Sequence, residues 1–262
     1  MSKVIWITGA SSGIGEATAY EYAKDKTIKL VLSARRATEL ERVKAKTGLP
    51  AENVFVLPMD VTEIEHFGEK VNQIINAFGR IDVLFNNAGI SQRGSVVESQ
   101  FENYRTIMEI NFFGVVALTK AVLPIMVSQK SGNIAVTSSI SGKLATPMRS
   151  GYCASKHALH GFFDSLRAEV WKDNIHVTLV CPGYIQTDIS KNAIAADGSS
   201  HGKMDENQLK GLSVEKCAEK IVGAIQENRE EISIGGKETL GIYIKRFFPK
   251  ILSKIVRNQN PK

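Results

Sequence analysis

Apolar positions along this 262-residue chain fall into two rhythms. Short apolar runs rich in β-branched residues predict strands at Val4–Thr8, Lys29–Ser33, Val54–Pro58, Val83–Asn86, Asn133–Thr137, His176–Val180 and Ile232–Ile234. Helically spaced stretches lie between them, at Ile14–Lys24, Thr38–Thr47, Ile64–Phe78, Phe101–Ser128, Tyr152–Lys172 and Val214–Asn228. Strand alternating with helix predicts a parallel sheet covered on both faces, and right-handed crossovers restrict its connections. The expected class is α/β, a doubly wound Rossmann fold without internal repeats. The polar stretch from Asp197 to Lys203 reads as a mobile loop.

Composition narrows the picture. Hydrophobic content of 43% and charged content of 23% are ordinary for a globular chain. No apolar run approaches 18 residues, so no membrane span is expected, and the early first strand leaves no room for a signal peptide. Cys153, Cys181 and Cys217 lack metal-ligand spacing, so the expectation is a reduced, cytoplasmic protein without a metal. Cys153 reads as a small helical filler. Lys245, Arg246, Lys250, Lys254, Arg257 and Lys262, with no Asp or Glu after residue 239, account for the whole net charge of +6. A basic tail on a neutral body argues against a nucleic-acid footprint. The chain therefore divides into the expected Rossmann body, 1–239, and a basic amphipathic tail, 240–262.

The first strand runs directly into Gly9-Ala10-Ser11-Ser12-Gly13-Ile14-Gly15, and a helix follows. This arrangement seats a pyrophosphate on a helix N-terminus, where free N–H groups and the helix dipole meet its charge. The spacing is G-x-x-x-G-x-G rather than G-x-G-x-x-G, and such a loop alone is also compatible with a structural turn. At the end of the second strand, an acidic residue would accept bonds from an adenine ribose and favour NAD. Here the strand ends Leu32-Ser33-Ala34-Arg35-Arg36. Guanidinium groups in place of a carboxylate suit a ribose phosphate, so NADP(H) is preferred over NAD(H). The alternative is two solvated arginines opening the next helix.

Tyr152 and Lys156, four apart, share a helix face, and Ser139 stands 13 residues before Tyr152. An ammonium near a phenol favours its ionised form and makes it a usable acid or base. A serine hydroxyl beside it can orient a carbonyl or alcohol oxygen. Tyr-x-x-x-Lys by itself is also a chance helical pair. His157 and His160 on the same stretch read as packing or surface residues.

Taken together, Thr8-Gly9, Gly13-Ile14-Gly15, Asp60, Asn86-Asn87-Ala88-Gly89, Asn111, Ser139, Tyr152, Lys156 and Pro182-Gly183 resemble the short-chain dehydrogenase/reductase family over residues 3 to 190. Ser33-Ala34-Arg35-Arg36 and Ser141-Gly142-Lys143-Leu144-Ala145 are similar to its member-7 branch. The resemblance implies about seven strands and a cofactor held by Gly9, Ser11, Ser12, Gly13, Ile14 and Gly15. Asp60 and Val61 would meet the adenine. Asn86, Asn87, Ala88 and Gly89 would pass beside the cofactor, one Asn tying strands together. Pro182, Gly183, Ile185 and Thr187 would meet the nicotinamide end. It also implies Tyr152 as proton donor or acceptor, Ser139 as holder of the substrate oxygen, Lys156 on the nicotinamide ribose, and Asn111 as a relay beside the Lys. A homodimer or homotetramer would form through the long helices.

Ile90, Ser141, Met148, Tyr184, Ile185 and residues 189–210 are the expected substrate lining. Their apolar lean implies a hydrophobic ketone, aldehyde or alcohol. The tail, broken at Pro249, would lie on a membrane surface, close over the pocket or join subunits. A non-catalytic NADP-binding regulator or scaffold is the alternative to the enzyme.

Overall fold

The computed structural model describes residues 2–258. The first half of the chain runs β1 (Val4–Thr8), α1 (Gly13–Tyr22), β2 (Lys29–Ser33), α2 (Ala37–Thr47), β3 (Val54–Val56), α3 (Phe67–Phe78), β4 (Val83–Asn86), β5 (Gln92–Arg93), α4 (Phe101–Met108) and α5 (Gly114–Gln129). The second half runs β6 (Gly132–Thr137), α6 (Ser150–Val170), β7 (Ile175–Pro182), β8 (Ile194–Ala195), α7 (Glu206–Leu209), α8 (Val214–Gln226), β9 (Glu231–Ile234), α9 (Leu240–Phe247) and α10 (Pro249–Arg257). Lys262 of the predicted tail lies outside the described residues.

Seven strands pair in parallel in the order β3-β2-β1-β4-β6-β7-β9. The side-chain period of two assigns each face its core. In β1, Val4 and Trp6 join Phe67, Leu118, Val122 and Phe163 beneath α3, α5 and α6. Ile5 and Ile7 join Leu40, Cys217 and Ile221 beneath α2 and α8. Both faces are dry, which is why the strands read as continuous apolar runs. Strand order reverses between β1 and β4, and a crevice opens at their C-terminal ends.

The predicted helix Phe101–Ser128 is interrupted. Glu109–Phe113 forms a π-helical turn between α4 and α5. The whole stretch Phe101–Gln129 is long and apolar enough, by length and composition, to cross a membrane, contrary to the expectation of no such segment. Here Val115, Leu118, Val122 and Met126 of α5 pack into the core. Pro249 does break the tail, into α9 and α10. The short parallel pair β5–β8, not foreseen, ties Gln92 and Arg93 to Ile194 and Ala195.

Candidate active site

The glycine turn opens onto a cleft of about 1090 Å³ at the sheet's C-terminal edge. Gly9 and Gly13 have φ of +64° and +57°, a region that favours glycine. A Cβ on Gly15 would lie 2.3 Å from the Gly9 carbonyl oxygen, so this glycine lets the helix pack close rather than lining the cleft. Ser11, Ser12 and Ile14 complete the near wall. The cleft continues past Arg35, Arg36, Asp60 and Val61 to Ala88, Gly89, Tyr152 and Lys156. A glycine turn with positive φ at Gly9 and Gly13, followed by a long groove, fits a dinucleotide. Ser11, Ser12, Gly13 and Arg36 would hold its phosphates, and Asp60 and Val61 would face its base.

At the far lip, the Arg36 Nη2 donates to Ser11 Oγ at 3.2 Å. Arg35 is 74% exposed and stands 4.0 Å from Asp60 Oδ2. Asp60 Oδ1 accepts from the Thr62 N–H and hydroxyl. Arg42, which sequence reasoning missed, also lines the cleft and donates two bonds to Glu16.

The two asparagines separate by face. Asn86 is buried and donates to Thr119 Oγ1 on α5 at 3.0 Å, a structural tie outside the cleft. Asn87 lines the cleft, donates to the Thr8 carbonyl at 3.2 Å and accepts from Thr137 Oγ1 at 3.1 Å.

Tyr152 and Lys156 project from the first turns of α6. Gln92 Oε1, from β5, accepts the N–H groups of Gly151 at 2.7 Å and Tyr152 at 3.3 Å. These are orphan donors of a helix start, so a remote amide caps the helix that carries the tyrosine. Asn111, in the π turn and fully buried, accepts from Ile90 N at 2.8 Å and donates to the Ile90 carbonyl and to Ser155 Oγ. It therefore pins α6 to the segment after β4. Ser139 Oγ accepts from Ser141 N at 3.0 Å, which fixes it beside Tyr152.

Burial raises the Tyr152 pKa, against which the Ser139 hydrogen bond and the charges of Arg149 and Arg93 act. Burial lowers the Lys156 pKa to about 8. The Lys156 ammonium donates to the Thr137 carbonyl at 2.7 Å and sits 5.8 Å from the Tyr152 ring centroid. Among the cations that pull the Tyr152 pKa down are Arg149 and Arg93. Both were missed, because nothing in their spacing links them to the Tyr-x-x-x-Lys pair.

A second cavity, of about 360 Å³, adjoins the cleft. Ser139, Ser141, Tyr184 and Ile185 line it, as do Pro182 and Gly183, which the sequence reading gave to the cofactor. Ile90 faces the cofactor cleft instead. Met148 lines neither: its backbone is left-handed (φ +64°) and its carbonyl accepts from Gly94 N. Thr187 and Tyr152 border both spaces. The tail forms the roof through Leu240, Ile244, Leu252, Ile255 and Val256. Lys245 Nζ anchors it on the Lys143 carbonyl at 2.7 Å.

His160 is a packing residue. Its Nε2 meets Ser138 Oγ at 2.9 Å, and burial lowers its pKa to about 4. All three cysteines are free and buried. Among the described residues, no group of three or more His, Cys, Asp or Glu side chains is placed to hold a metal.

Residues 3–198 match the short chain dehydrogenase family. The chain belongs to that family. It is 43% identical over 254 residues to a Drosophila melanogaster dehydrogenase/reductase SDR family protein 7-like, covering 95% of the chain and 78% of that relative. It is similar to a short-chain dehydrogenase/reductase from Burkholderia phymatum in complex with NAD (TM-score 0.82, 25% identity, 100% and 96% of the two chains). It is also similar to an alcohol dehydrogenase from Thermococcus sibiricus complexed with 5-hydroxy-NADP (TM-score 0.76, 27% identity, 90% and 97%). The chain thus belongs to an oxidoreductase family that uses nicotinamide cofactors.

Proposed function

We propose that the protein interconverts a carbonyl and a primary or secondary alcohol on a largely apolar substrate, with NADP(H) preferred over NAD(H) and Tyr152 as general acid and base. The observation that carries the reading is the place of Tyr152, which borders both the long cleft and the tail-roofed pocket. A substrate oxygen in the pocket meets Tyr152 and Ser139 together. When bound, a nicotinamide supplies or takes the hydride. Tyr152 gives a proton to the carbonyl oxygen in reduction and removes one from the alcohol in oxidation. Ser139 holds that oxygen. Lys156 reaches the cleft and carries the charge near the ribose, and Asn111 keeps α6 in register with the segment after β4.

Ala34 in place of a carboxylate, with Arg35 and Arg36 at the lip, supports the NADP(H) preference. Exposed Phe113, at the π turn, supports a homodimer or homotetramer through the α4–α6 face. The exposed apolar and basic surface of α9 and α10 supports contact with an anionic membrane. NADPH oxidation over a panel of ketones, aldehydes and acyl compounds tests the reaction. Turnover of apolar ketones or aldehydes is expected; cofactor binding without any turnover would favour the regulator instead.

A further inference from the structure

Beside Tyr152, two guanidinium groups converge on one carboxylate oxygen. Arg93 Nη2 lies 3.0 Å and Arg149 Nη2 2.9 Å from Asp205 Oδ2. Their side chains are 6% and 15% exposed, and that of Asp205 11%. The trio therefore holds an excess positive charge where water has little access. Burying an uncompensated cation is costly unless something of opposite charge joins it.

The excess faces the pocket. Arg93 and Arg149 line it, and Asp205 does not. Arg93 Nη1 also donates to the Gln92 carbonyl at 3.1 Å, whereas Arg149 is less fully engaged. Both share the same Asp205 oxygen, while Oδ1 accepts from Asn207 N. Arg149 Nε is buried without a hydrogen-bond partner. A guanidinium fork matches an oxyanion through two parallel bonds, and here neither fork makes that pairing. Glu238, the carboxylate that does line the pocket, accepts the N–H groups of Tyr184 and Gly236 at Oε1, and the adjacent Lys237 cation lines the pocket with it. Ile140, Leu144, Ile244, Leu252 and Val256 form the apolar part of the wall, and Ser141, Thr146, Gln208 and Lys237 add polar groups.

We propose that the pocket takes an amphiphile whose anionic headgroup, a carboxylate or a phosphate, is held by Arg93 and Arg149 while its apolar part lies under the tail. This deepens the carbonyl–alcohol reading and rests on it only for calling the pocket a substrate site. An oxyanion bridging the two forks neutralises the excess charge. It also fixes the distance along the substrate between its headgroup and the oxygen at Tyr152. Arg149, three residues before Tyr152, makes that distance short, so the carbonyl and the anion belong to the same end of the molecule.

The test is calorimetric and needs no turnover. The full chain, saturated with NADP+, is titrated with octanoate, octyl phosphate and uncharged 2-octanone. The anions should bind about tenfold or more tightly than 2-octanone, the scale of one or two charge-assisted hydrogen bonds. Arg149→Gln should collapse that ratio towards one, and Arg149→Lys should keep part of it. Asp205→Asn removes the competing carboxylate and should tighten anion binding. A trio serving only to brace the loop predicts the reverse, since losing Asp205 then loosens the pocket for every ligand. A preference for octyl phosphate over octanoate identifies a phosphate headgroup, and the opposite order a carboxylate. Equal affinity for charged and neutral ligands, or weaker anion binding in Asp205→Asn, overturns the proposal. Arginine-dependent anion binding in a protein that turns over no ketone keeps this site and removes the carbonyl reading. Turnover of ketones without anion preference does the opposite.

Discussion

Gln92 reaches across from β5 to cap Tyr152: its side-chain oxygen accepts the Tyr152 N–H at 3.3 Å and that of the preceding Gly151 at 2.7 Å. Gln92 is fully buried and is held by the β5–β8 pair. The start of α6, and with it the phenol, is therefore positioned by a residue 60 positions earlier. Gln92→Leu leaves two helix-start donors without a partner. It should lower kcat by about tenfold, as expected for a misplaced reacting group. NADPH affinity should change far less, because the glycine turn is untouched. Steady-state kinetics with a cofactor titration check this, and a Gln92→Glu variant, which still accepts both bonds, should recover much of the rate.

Arg149 bears on the pH profile. Its charge lowers the Tyr152 pKa against the effect of burial. Alcohol oxidation needs the ionised phenol, so its rate rises with pH through that pKa. Arg149→Gln removes a cation, raises the Tyr152 pKa and should move the ascending, acid-side limb of kcat/KM for an uncharged alcohol to higher pH. An unmoved limb would mean that the Arg149 charge does not reach the phenol.

Arg36 is the cofactor discriminator to change first. It already bonds Ser11 on the glycine turn, whereas Arg35 is largely in solvent. A guanidinium–phosphate bond is worth about 1.5–3 kcal/mol. Arg36→Ala should therefore raise the NADPH Kd by roughly ten- to hundredfold and leave that of NADH within about threefold. Fluorescence titration of both cofactors measures the ratio.

The tail joins the pocket to the surface. Its inner side roofs the cavity, and Phe247 and Phe248 point outward at 68% and 60% exposure. Basic residues surround them and no acidic residue follows Thr239. Liposomes rich in anionic lipid should carry the protein in flotation, and Phe247→Ser with Phe248→Ser should reduce recovery at least severalfold. Equal recovery of both proteins would assign the tail to the pocket alone.

The sheet was legible because buried parallel strands read as apolar runs, and all seven were found with small shifts at their ends. The site was partly legible. Motifs local in sequence, such as the glycine turn and the Tyr152–Lys156 pair, depend on one strand or one helix. Gln92, Arg93 and Arg149 act across elements, and no spacing rule brings a β5 residue to the start of α6. The π turn at Asn111 was hidden because its residues fit an ordinary helix by propensity. The roles of Asn86 and Asn87 became distinct only once strand pairing gave each a face. Met148 failed as a lining residue because a left-handed backbone is not readable from an apolar side chain. The sequence left the tail's partner open among the pocket, another subunit and a membrane, and folding places α9 and α10 over the pocket.

The central claim is that Tyr152 moves the proton. Tyr152→Phe deletes one oxygen from a buried side chain and leaves the glycine turn and Lys156 in place. The decisive measurement is single-turnover reduction of an active ketone or aldehyde by NADPH, with cofactor affinity determined on the same protein. A loss of about 10²–10⁴-fold in rate with NADPH binding nearly unchanged is the predicted result. A rate within a few-fold of the unsubstituted protein would contradict it.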